Sequence, residues 1–297
     1  MKRNKNITWN AIAANKLDLK GKNVTVVGGT GGLGRAFSRL MALRGANVTV
    51  VGQTFRDKDI KGISFIKADL SLLSEAERVS NLLPAETLDL LVLTTGIMAA
   101  PKRQETSEGL ERDMAVSFLN RLVLLREIAP RLGNDRLNAK SKPRVFIMGF
   151  PGSNQSASID DLNSERTYKT MVAHMNTVIG NEALVLDSAK RYPHINFYGL
   201  NPGLIKTNIR SNTLGKNSIK LRIIESLVGL LSQSPETYAE RVVPLLFTPE
   251  IEGHNGAMFN RKALAIHPST TMTNDYVGAF IKASEELVNR VKTNRLK

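Results

Sequence analysis

One stretch, NVTVVGGTGGLGRAFSRL from Asn23 to Leu40, limits the possible folds of this chain more than any other. A β-branched apolar run ends in a cluster of glycines, and a helical pattern starts directly behind it. Gly28, Gly32 and Gly34 are spaced G-x-x-x-G-x-G. Glycine tolerates the tight turn and lets the backbone approach a ligand closely. The helix that follows offers free N–H groups and a partial positive charge to a pyrophosphate. A glycine-rich turn can also serve packing alone. Here the strand before it, the helix after it and a second strand soon behind point to dinucleotide binding. Gly28, Thr30, Gly32, Leu33 and Gly34 are the turn residues expected to hold the cofactor.

The rest of the chain repeats the strand–helix alternation. Apolar runs at 23–28, 47–52, 63–68, 88–95, 144–149 and 195–200 read as strands buried on both faces, because they lack a polar alternation. Helical patterns fill 34–43, 75–83, 109–132 and 164–190. This order implies parallel strands with crossover helices, a Rossmann-type doubly wound α/β sheet flanked by helices. No linker divides the chain, so residues 1–297 read as a single domain with an N-terminal extension at 1–20. After the sixth strand comes a turn-rich stretch, then amphipathic patterns at 219–231 and 236–246. Residues from about 204 to 250 therefore read as a lid-like insertion over a substrate, at the strand ends where such folds bind ligands. A short strand GAMFN and a helix at 275–291 complete the pattern.

Composition removes several chemistries. There is no cysteine, which excludes disulfides, thiolate metal sites and cysteine nucleophiles. His194, His254 and His267 lack metal-ligand spacing, and no hydrolase or zinc-protease motif is present, so no metal is expected. The net charge of +14 is densest in MKRNK and RVKTNRLK at the two ends, without interleaved aromatics. Those runs read as solvated, frayed termini rather than a nucleic-acid surface. No apolar leader and no window near the ~20 apolar residues of a membrane span is seen. Together with the cysteine usage this gives a cytoplasmic expectation.

The glycine spacing resembles that of the short-chain dehydrogenase/reductase family, T-G-x-x-x-G-x-G, with Val27 in place of the threonine. Further motifs follow in order. Asp69 and Leu70 fall where the family contacts adenine; LTTG at 93–96, with Thr95 and Gly96, falls where it has N-N-A-G. NPGLIKT supplies Pro202, Gly203 and Thr207, and the resemblance implies that Thr207 holds the nicotinamide carboxamide. DLNSERTY and SPETYAERVVPLLFTPEIEGHNGAMFN resemble the retinol-dehydrogenase-like branch. The resemblance thus covers roughly residues 20 to 290. It implies a nicotinamide cofactor, and homo-oligomers paired through the helices around 109–132 and 164–190. The second strand ends in VVGQTFRDKD. Gln53 is not the acidic residue that an NAD ribose wants, and Arg56 is close enough to serve a 2′-phosphate, so NADP is favoured over NAD.

The family's catalytic set is Asn, Ser, Tyr and Lys. Here Ser117 stands at the Asn position, Phe150 at Ser, His174 at Tyr and Val178 at Lys, and no Tyr-x-x-x-Lys occurs. Two readings stay open. In the first, chemistry persists with an atypical proton donor acting on a carbonyl, alcohol or unsaturated small molecule. An imidazole with pKa near ~6.5 can release a proton near neutrality without the help a tyrosine needs, and a neighbouring cation would disfavour its charged form. Ser117, Ser153 and Tyr168 are then candidate hydroxyls beside His174. In the second, the crevice binds NADP as an inactive sensor or interaction protein. The expected partner is an apolar small-molecule substrate.

Overall fold

The computed structural model describes residues 1–136, 139–203 and 233–295. β1 (Asn23–Val27) runs parallel between β2 (Asn47–Gly52) and β4 (Leu90–Leu93), with Val27 opposite Val51 on one side and Leu93 on the other. β3 (Ile63–Lys67) flanks β2, and β5 (Arg144–Met148), β6 (Asn196–Leu200) and β7 (Met258–Phe259) continue in parallel beyond β4. β8 (Ala265–Ile266) pairs antiparallel with β7, giving the order β3-β2-β1-β4-β5-β6-β7-β8. The strand order reverses between β1 and β4, the place at whose carboxyl ends folds of this kind bind their ligands.

The apolar runs are explained by two cores, one on each face of the sheet. Val24 and Val26 of β1 pack with Phe37 and Met41 of α1 (Gly32–Leu43), while Val27 packs on the opposite face. That second face is covered by α2 (Leu73–Leu82), by α3 (Arg112–Met114) with the π segment Ala115–Leu119 and α4 (Asn120–Ile128), and by α5 (Thr170–Arg191). Every residue of β4 and β5 is buried, so neither strand has a polar side.

Three expectations are corrected. The stretch at 236–246 does not belong to a lid: it forms α6 (Pro235–Phe247), whose Tyr238, Val242, Leu245 and Leu246 are fully buried. Tyr238 stacks on Phe37 of α1 at 5.8 Å, so this amphipathic stripe faces the core. The remaining proposed lid, with the 219–231 pattern and Thr207, lies outside the described residues. Among the described residues, the basic ends do not fray either. Arg3 bridges Ile266, the Asn4 and His267 amides donate across that pairing at 2.9 Å, and the Trp9 indole N–H donates to the Ala263 carbonyl at 2.8 Å. The open edge of β8 has backbone groups to satisfy, and the chain start satisfies them. At the other end, α7 (Asn274–Arg295) packs on α5, and Lys292 and Arg295 pair with Glu77 at 2.9 and 3.0 Å.

The third correction concerns the start of α5. The pattern predicts a helix from 164, yet Asp161 accepts hydrogen bonds from the Glu165, Arg166 and Thr167 amides and holds that stretch as a loop until Thr170. No helix among the described residues is long and apolar enough to cross a membrane.

Candidate active site

The glycine-rich turn is compressed by its neighbours. Gly28 has φ +88°, and a Cβ there would lie 2.7 Å from both the Thr94 hydroxyl and the Thr95 amide nitrogen. At Gly34 a Cβ would lie 2.4 Å from the Gly28 carbonyl oxygen and from Thr94 Oγ1. Close packing of the β1 turn, the start of α1 and the end of β4 therefore leaves room only for glycine. Gly31 caps α1 in an extended conformation and offers no side-chain acceptor, so the first N–H groups of the helix, at Gly32 and Leu33, are free of a side-chain cap.

Charges around this turn are sorted. Arg35 and Arg39 both bind Asp57, each with a contact of 2.7 Å, and the Arg35 hydrogen bond holds that carboxyl below its ordinary value. Arg56 instead donates to the Thr30 carbonyl at 3.0 Å and makes no ion pair among the described residues. Gln53 donates to Asp69 at 3.1 Å. Burial pushes the Asp69 carboxyl up, but hydrogen bonds from Ser71 and Gln53 outweigh it and leave it lowered. Leu70 is buried behind them in the core. Pro202 and Gly203 follow β6 in a turn closed by the Gly203 amide on Asn201 Oδ1 at 3.0 Å, with Gly203 at φ +67°.

A second polar cluster is built from α5, the π segment and the loop after β4. His174 Nδ1 lies 2.7 Å from Oδ2 of Asp113, a carboxylate with no solvent exposure. Ser117 Oγ donates to the other oxygen of Asp113 at 2.5 Å and accepts from the Ile97 amide at 3.0 Å. Gly96 lies against that hydroxyl, 3.7 Å from where its Cβ would be. A carboxylate on Nδ1 fixes the tautomer and leaves the Nε2 lone pair to exchange protons. The His174 side chain is 19% exposed, so one edge of the ring reaches solvent.

The other sequence candidates are placed differently. Tyr168 donates to the Ala100 carbonyl at 2.5 Å, and burial, then the Glu111 charge, raises its pKa and weakens it as an acid. Ser153 Oγ is buried with no partner among the described residues; its neighbours Gly152 and Asn154 are tied to Glu182 and Ser269. Phe150 is 37% exposed at the end of β5 and offers no hydroxyl, and Val178 is buried and offers no cation. Sequence reasoning missed Asp113 and Arg121. Asp113 sits one helical turn before Ser117, but only packing sets it against His174. The π turn, a recurrent feature of functional helices, had no sequence signal.

A family model described as short chain dehydrogenase matches residues 22–140. The chain is 49% identical to an uncharacterized oxidoreductase of Saccharomyces cerevisiae over 298 residues, 99% of this chain and 96% of that one. It is 26% identical to retinol dehydrogenase 14 of Homo sapiens over 178 residues, 58% of this chain and 50% of that one. Among solved structures, an uncharacterized protein from Mycobacterium paratuberculosis superposes with a TM-score of 0.65 at 19% identity, covering 94% of this chain and 98% of that one.

Proposed function

The chain belongs to the short-chain dehydrogenase/reductase family, and from that premise we propose that it is an NADP-dependent oxidoreductase whose proton donor is His174. The observation that carries this reading is the 2.7 Å contact between His174 Nδ1 and buried Asp113. The glycine turn fits a dinucleotide, since its backbone is bare where a pyrophosphate would lie and the start of α1 has no side-chain cap. Gly28, Thr30, Gly32, Leu33 and Gly34 would hold the pyrophosphate, Asp69 and Leu70 the adenine side, and Thr95, Gly96, Pro202 and Gly203 the nicotinamide side. Bound there, NADPH supplies a hydride.

His174 takes up a proton at Nε2 from solvent through its exposed edge and delivers it to the atom that gains negative charge, and its Nδ1–H stays on Asp113. Ser117 holds Asp113 in place rather than a substrate oxygen. The apolar side chains of Phe150, Met171 and Val172 are exposed near the ends of β5 and the start of α5, which suits an apolar substrate. A second reading is favoured by Phe150 and by the engaged Ser117, since neither position offers a free hydroxyl to orient a carbonyl. In it the crevice binds cofactor without turnover.

The test is a fluorescence titration with NADPH and NADH, followed by transfer from 4-deuterated cofactor to a panel of apolar aldehydes, ketones and enones. Stereospecific deuterium incorporation supports the first reading. Tight binding with no transfer to any acceptor supports the second, and no binding of either nucleotide sinks both. Arg56 is expected to set the nucleotide preference. Arg56→Ala should weaken NADPH about tenfold, the loss of one charge-assisted phosphate contact, and leave NADH within twofold. Equal losses for both nucleotides would show that Arg56 only braces the Thr30 turn.

A further inference from the structure

Arg121 is the second residue of α4, directly after the π segment, and it is 3% exposed. Its guanidinium donates to the carbonyls of Thr95 and Met148, at the carboxyl ends of β4 and β5. It also donates to Asn181 Oδ1 at 2.6 Å, and Nε lies 3.4 Å from Thr95 Oγ1. All of these acceptors are neutral. Arg121 is therefore a buried cation without a contacting carboxylate among the described residues, and the charge that acts on it is that of Asp113. Burial lowers this guanidinium to about 9, against the pull of Asp113, so it is still charged at neutral pH.

The two charges are linked through two residues, Asn181 and Ser117. Asn181 accepts from Arg121 and donates to the Ser117 carbonyl at 2.9 Å and to the Thr177 carbonyl at 2.7 Å. Ser117 in turn donates through its hydroxyl to Asp113. Arg121, Asn181, Ser117, Asp113 and His174 thus lie in one run of polar contacts through α4, α5 and the π segment, in which Ser117 contributes its backbone carbonyl on one side and its hydroxyl on the other. A buried carboxylate without a nearby cation tends toward its neutral form, and a neutral carboxyl can donate to an imidazole nitrogen instead of accepting from it. An opposite charge in the same low-dielectric interior keeps it an acceptor.

We infer that Arg121 is a positioning residue: its buried charge keeps Asp113 an acceptor, and this holds His174 in the tautomer that has the proton on Nδ1 and the lone pair on Nε2. Arg121 does this from the interior, beside a helix that carries buried Val178 where the family has its lysine. The inference deepens the proposed role of His174 and rests on it for its catalytic meaning, though the tautomer itself can be measured without turnover.

The experiment uses full-length protein with 15N-labelled histidine, and NMR of the imidazole nitrogens at a pH where His174 is neutral. Wild type should show a single tautomer, protonated at Nδ1. Arg121→Gln removes the charge but keeps a donor for the Thr95 carbonyl. It should shift the tautomer ratio toward Nε2–H on the order of tenfold. Arg121→Lys should restore the wild-type pattern. Cooperative thermal unfolding and an unchanged far-UV circular dichroism spectrum certify each variant as folded. A folded Arg121→Gln protein with the wild-type tautomer overturns the inference. If only Arg121→Lys folds, a shifted tautomer in that variant overturns it equally. The reading of His174 as proton donor fails separately, if His174→Ala keeps its turnover.

Discussion

His174→Ala is expected to lower turnover by about 10³-fold, the typical worth of a positioned acid, while NADPH affinity stays within a few-fold. The side chain lies on α5 with one edge exposed, whereas the glycine-rich turn lies between β1 and α1 against the end of β4. The two halves of the site should therefore separate cleanly in a kcat measurement and a binding titration. A control is needed, because the substitution leaves buried Asp113 with one partner fewer. That costs about 1–3 kcal/mol, so thermal unfolding must accompany the kinetics. Asp113→Asn should lower kcat in the same direction with smaller loss of packing, since an amide there can present the wrong group to Nδ1. A His174→Ala enzyme that keeps more than a fifth of its rate would remove the proton-donor assignment and leave the binding reading in place.

Gly34→Ala should abolish cofactor binding, by at least a hundredfold, and destabilise the fold by about 3 kcal/mol. The added methyl would sit 2.4 Å from the Gly28 carbonyl oxygen and from Thr94 Oγ1, so the clash is partly with backbone. Relief requires the β1 turn to open, which moves the amides that would face a pyrophosphate. Gly278→Ala provides the contrast. That glycine is exposed within α7 and has nothing within 4 Å of an added Cβ, so alanine there should stabilise by about 1 kcal/mol. Chemical denaturation and NADPH titration of both variants check the pair. A Gly34→Ala protein that binds NADPH normally would show that the turn adjusts, and the cradle reading would lose its physical basis.

Much of the fold was legible because it depends on local pattern. The runs of β1, β2, β4, β5 and β6 are apolar on both faces, and strands of that kind must sit inside a parallel sheet. Sequence periodicity was weaker wherever a side chain chose between alternatives. Asp161 could have continued a helical pattern or capped a loop, and three amides decided for the loop. The 236–246 stripe was amphipathic either way; its apolar face met α1 instead of a substrate. The basic ends were polar, yet backbone pairing on β8 and ion pairs to Glu77 held them.

The sequence by itself determined the doubly wound sheet, the glycine turn with its bare helix start, and the lack of any Tyr-x-x-x-Lys motif. These follow from residue type and short-range spacing, where steric freedom and apolar periodicity act within one element. Tertiary structure alone decided that Asp113, 61 positions from His174, would orient its ring, and that Arg121 would be buried behind both. Periodicity says which face of a helix turns inward, but not which polar group another helix brings to meet it. That choice is made when α3, the π segment, α4 and α5 close on one another and each buried polar atom must find a partner.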